Sequence, residues 1–97
     1  MEELLLRQDI KWIERYVKKI AKILGGRRIS GEKELKAEKM YALLVKLIAE
    51  KERKSERRKL AKFAIEKLQE AKKKLKSQKA KKITDKFIER IRKRFLS

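Results

Sequence analysis

The sequence predicts an all-α fold: a compact bundle of four helices in a single domain over residues 1–97, with a three-helix form as the alternative. Three observations carry this. Proline is absent and glycine occurs only at Gly25, Gly26 and Gly31, so almost every position tolerates a helix. Apolar residues recur at spacings of three and four, which keeps them on one helical face. Ser30 and Ser77 stand ahead of such runs, where a hydroxyl oxygen can accept from the free amides of a first turn.

The first helix is expected from about Glu2 to Leu24. Leu6, Ile10, Ile13, Val17, Ile20 and Leu24 share a face, widened by Leu4, Leu5, Trp12, Tyr16, Ala21 and Ile23. Glu2 and Glu3 suit the positive start of the helix dipole, and Lys22 suits its negative end. Gly25 and Gly26 predict a left-handed C-cap, a conformation that costs glycine little. From Ser30 the second helix carries Leu35, Ala37, Met40, Tyr41, Leu44, Val45, Leu47 and Ile48. Apolar almost all round in its middle, it is the expected central helix.

The stretch EKERKSERRK, residues 50–59, interrupts the apolar face between Ala49 and Leu60. A break is expected there, with Ser55 as a candidate start for the third helix. Leu60, Ala64, Leu68, Ala71 and Leu75 then form one packing stripe, whose small residues allow close approach. The last segment carries Ala80, Ile83, Phe87, Ile88, Ile91, Phe95 and Leu96. Ser77 would cap it as a fourth helix. Leu75, Ile83, Phe87, Ile91 and Phe95 remain roughly in phase, which keeps one long helix open as the alternative.

Histidine and cysteine are absent, which removes the common neutral-pH proton shuttle and the thiol nucleophile. The acids show no paired catalytic pattern and no metal-ligand spacing. No cofactor is implied and an enzyme is not expected. No apolar run reaches membrane-spanning length, and the start MEELLLRQD has no signal-peptide pattern. The expected location is cytoplasmic or nucleoid-associated, and membrane association is not favoured.

The 32 Lys and Arg outnumber 14 Asp and Glu for a net charge of +18. A heat-adapted surface accounts for many charges but not for their imbalance. Residues 72–97 hold twelve basic groups against two acidic ones, a net of +10 and more than half of the excess. Crowded like charges repel, and a phosphate backbone converts that repulsion into binding by counterion release. The candidate phosphate contacts are Arg53, Lys54, Arg57, Arg58, Lys72, Lys73, Lys74, Lys76, Lys79, Lys81, Lys82, Lys86, Arg90 and Lys93. Lysine predominates at the junction before the last helix, which favours backbone contact over base reading. Trp12 and Phe63 are candidates for docking a protein partner. Trp12, Tyr16 and Tyr41 are also candidates for base stacking.

In its small size, basic helices and lysine-rich end, the chain resembles the small basic accessory subunit of the archaeal replicative B-family DNA polymerase. The resemblance is one of overall character along the chain and rests on no motif, so no functional residue transfers. It implies DNA rather than RNA as the nucleic acid, a larger replication protein as partner, and a role in holding the complex on its template. The Lys-, Arg- and Glu-rich composition is compatible with a thermophilic source. The alternatives are a ribosome- or chromatin-associated basic protein, an adaptor for an acidic protein, and attachment of the basic amphipathic last helix to a membrane surface.

Overall fold

The computed structural model describes the backbone of residues 2–97 and the side chains from Leu6 onward. It contains α1 (Glu2–Ile23), α2 (Gly31–Ala49), α3 (Lys54–Lys74) and α4 (Gln78–Ile91), the last running on into a π-helical turn, Arg92–Leu96. The four-helix expectation holds, and the one-long-helix alternative does not. Leu75 takes an extended conformation (φ −75°, ψ 144°), and the Ser77 hydroxyl accepts from the Ala80 amide at 3.3 Å to start α4 afresh. Ser30 caps α2 in the same way, accepting from the Lys33 amide at 3.2 Å. The break at residues 50–53 also holds, but α3 begins at Lys54 behind Arg53, so Ser55 lies inside its first turn.

The glycine cap takes a different form from the one expected. Neither Gly25 nor Gly26 has a positive φ. The Leu24 amide still bonds the Ile20 carbonyl at 2.9 Å, and the Gly25 amide reaches the Lys22 carbonyl at 3.4 Å. Gly25 is required by space instead: a Cβ there would stand 3.0 Å from the Ala21 carbonyl oxygen.

The helices alternate in direction, so α1 and α3 run one way while α2 and α4 return. α3 lies between α1 and α4 and also touches α2 and the π turn, while α2 rests mainly on α1. The central helix is therefore α3, not α2. Ala61 and Ala64 are fully buried on α3, and side chains this small let neighbouring helices approach closely. The apolar girth of α2 is partly left in solvent, with Leu35 58% and Leu43 41% exposed.

The core runs the length of the bundle. Ile13, Ile20, Leu24, Leu44, Ile48, Leu60, Leu68, Phe87 and Ile91 are all sealed from water. Phe87 stacks on Tyr41 with ring centroids 4.4 Å apart and planes 8° from parallel, pinning α4 to α2. Thr84, the buried polar residue of α4, donates its hydroxyl proton to the Ala80 carbonyl at 2.9 Å. The π turn keeps the last apolar pair on the bundle. Five residues of α-helix would rotate Leu96 about 140° from Ile91. The wider π turn reduces that rotation, and Phe95 and Leu96 both pack against the core.

Candidate nucleic-acid interface

The alternating topology sorts the charge into two ends. The α1–α2 and α3–α4 connections share one end, where Lys79 Nζ donates to the Ile29 carbonyl at 3.2 Å. The α2–α3 connection shares the other end with the early turns of α1, where Lys51 Nζ lies 2.7 Å from the Asp9 carboxylate. The hairpin of α3 and α4 brings the π turn back to this second end, packed on α3.

The first end gathers Lys72, Lys73, Lys74, Lys76, Lys79, Lys81 and Lys82, with Arg27 and Arg28 on the neighbouring loop. α2 and α4 begin here while α1 and α3 end here, so the helix dipoles largely offset one another and the positive field comes from the side chains. Two of the lysines serve the fold. Lys72 Nζ pairs with Asp85 at 2.7 Å, and Lys79, besides holding Ile29, lies 3.6 Å from Glu34. Lys73, Lys74, Lys76, Lys81 and Lys82 have no ion pair among the described residues. Lys72, Lys73 and Lys81 line a hollow of about 380 Å³, together with Gln69 and Asp85. Three cations around one carboxylate leave an excess of positive charge suited to a phosphate.

Along α4, Lys79, Lys82, Lys86, Arg90 and Lys93 recur at spacings of three and four and form one stripe leading away from this end. Lys82, Lys86 and Lys93 are exposed. Arg90 is committed: its Nη1 sits 3.1 Å from Glu38, and its guanidinium lies 5.4 Å from the Tyr41 ring centroid.

Arg53, Lys54, Arg57 and Arg58 lie at the opposite end of α3, whose 21 residues span about 30 Å. The structure therefore does not join them to the lysines of the first end. Arg57 is chiefly structural. Its Nη1 donates to the Lys51 carbonyl at 2.6 Å and the Glu52 carbonyl at 2.8 Å, which clamps the α2–α3 connection. Arg53 lies 4.0 Å from Glu56, while Lys54 and Arg58 are exposed.

The aromatic candidates separate likewise. Trp12 is 40% exposed, with Tyr16 5.8 Å away and the Arg15 guanidinium 5.1 Å from its ring. The hollow beside Trp12 is only about 70 Å³ and is lined by residues of its own helix. Phe63 widens the core face of α3. It is half-buried against the core with Lys67 Nζ over its face. Tyr41 is buried against Phe87 and offers no face to a base.

One feature escaped the sequence reading: a groove of about 850 Å³ between the second half of α2 and the end of α4. Its signal, visible only in retrospect, is the pair of exposed alanines, Ala42 and Ala49, spaced seven residues apart on α2. Among the described residues no group of three acidic, His or Cys side chains could hold a metal, and no helix is long and apolar enough to cross a membrane. No protein-family model, curated protein or solved structure matches this chain.

Proposed function

We propose that this chain is a non-enzymatic nucleic-acid-binding accessory protein that holds phosphate backbones with the α3–α4 end of its bundle. The observation that carries this reading is the concentration of unpaired lysines there. Lys73, Lys74, Lys76, Lys81 and Lys82 stand together at one end of the bundle in a chain of net charge +18. Binding is electrostatic, tolerant of sequence and steeply salt-dependent. Lys82 and Lys86 extend the contact along α4. DNA is the favoured target, and the resemblance to the polymerase accessory subunit extends the proposal to a replication complex whose grip on DNA this chain strengthens.

Fluorescence anisotropy with single-stranded DNA, duplex DNA and RNA at several salt concentrations tests this. The expected result is binding near physiological salt, with similar affinity for duplexes of unrelated sequence. Combining Lys76→Gln, Lys81→Gln and Lys82→Gln should flatten the plot of log affinity against log salt by up to about 0.9 for each phosphate no longer neutralised. Strong preference for RNA would move the chain to the ribosomal alternative. Absence of binding near physiological salt would end the reading of an autonomous nucleic-acid module.

A further inference from the structure

The groove between α2 and the C-terminal turn has a composition that phosphate contact does not explain. Its floor is Tyr41, Ala42, Val45 and Ala49 of α2, and its rim carries Lys46, Lys93 and Arg94, with Arg90 already paired to Glu38, against the acid Glu50. A backbone of phosphates gains nothing from an apolar floor.

From the geometry we infer that this groove docks an acidic amphipathic helix of a partner protein. Tyr41 to Glu50 spans nine residue steps of α2, about 14 Å, which accommodates two to three turns of a helix about 10 Å across. Ala42 and Ala49 stand seven residues apart with Val45 between them, so a partner's apolar stripe can come close to the α2 backbone. The cations then face the acidic flanks of that helix. Arg90 needs little ordering on binding, because Glu38 and the Tyr41 ring already hold its guanidinium in place. Its remaining N–H groups are free to donate to a carboxylate. A second copy of the chain is disfavoured as occupant, since two bodies of charge +18 repel and the groove presents the same sign. The site differs from Trp12 and Phe63, the partner contacts expected from the sequence, and does not depend on nucleic-acid binding.

The probe is a fluorescein-labelled 18-residue peptide of Leu, Ala and Glu, with its leucines on one helical face. Its control has the same composition permuted to abolish that face. Ala42 and Ala49 are exposed, so combining Ala42→Gln and Ala49→Gln fills the floor without changing charge or core. The amphipathic peptide should bind at least tenfold tighter than its control and lose about tenfold on the double variant, with duplex DNA affinity unchanged. Backbone NMR shifts on titration should centre on residues 41–50 and 90–94. Equal binding of both peptides, or an unaltered affinity in the double variant, would overturn the proposal. So would a wild-type dimer that the double variant dissociates, or anionic vesicles that bind through the groove in place of the peptide.

Discussion

Lys51 reaches across the bundle from the α2–α3 connection to place its ammonium 2.7 Å from the carboxylate of Asp9, on a helix more than forty residues earlier in the chain. The Asp9 side chain is 11% exposed and that of Lys51 27%, so water screens the pair only in part. Removing one member strands the other, which costs more than the pair itself is worth. Lys51→Met should therefore destabilise the chain by about 2 kcal/mol in urea unfolding, below the range for fully buried pairs. Adding Asp9→Leu should return part of that loss. A single variant as stable as the wild type would show that the pair is solvated and idle.

The Arg57 clamp and its neighbour Arg58 should behave oppositely, though both are basic residues near the start of α3. Arg57→Gln removes a charged donor from the carbonyls of Lys51 and Glu52 and should cost about 1.5 kcal/mol of stability. Arg58→Gln touches nothing in the fold and should stay within about 0.5 kcal/mol. Equal thermal midpoints for the two variants would remove Arg57 from the structural set.

Burial raises the proton affinity of the Tyr41 phenol above its ordinary value of 10.0. Arg90 opposes this, Glu38 assists, and Arg94 opposes it further. The folded chain therefore keeps this proton at a pH where the unfolded chain has lost it. Below about pH 10 both states are protonated and the group adds no slope; above it, stability falls as pH rises until the folded phenol also ionises. Tyr41→Phe removes that loss. Chemical unfolding of both proteins from pH 8 to pH 11 should give a stability difference that is constant at first and then shifts in favour of the variant. A difference constant across the whole range would show that the phenol is not perturbed.

Two glycines should respond to alanine with opposite signs. At Gly25 the new methyl would press on the Ala21 carbonyl, which is backbone and yields little, so Gly25→Ala should cost about 1 kcal/mol. At Gly31, the first residue of α2, a Cβ meets nothing within 4 Å. Gly31→Ala should add about 0.5 kcal/mol through helix preference and a less flexible unfolded chain. Thermal unfolding of the pair checks both signs at once.

Much of the fold was legible because its determinants are local. Ser30 and Ser77 announce α2 and α4 by the free amides they cap, and the loss of apolar periodicity after Ala49 marks the α2–α3 break. α2 was misread as the central helix for a physical reason. Apolarity says that a residue seeks cover, but the neighbours that supply it lie on other helices. The bundle covers much of Phe63 and leaves Leu35 and Leu43 exposed.

By itself the sequence determined the helices, most of their boundaries, and the charge excess in the last quarter, since each depends on residues within a few turns of one another. Only the tertiary structure decided which cations find a carboxylate on another helix. Lys72, Lys79 and Arg90 find Asp85, Glu34 and Glu38 on other helices, and those pairings cross 13, 45 and 52 positions of chain. It also separated the basic stretches by the length of α3 and opened the groove beside α2. Periodicity within one helix cannot encode such distances, because they follow from how the four helices pack.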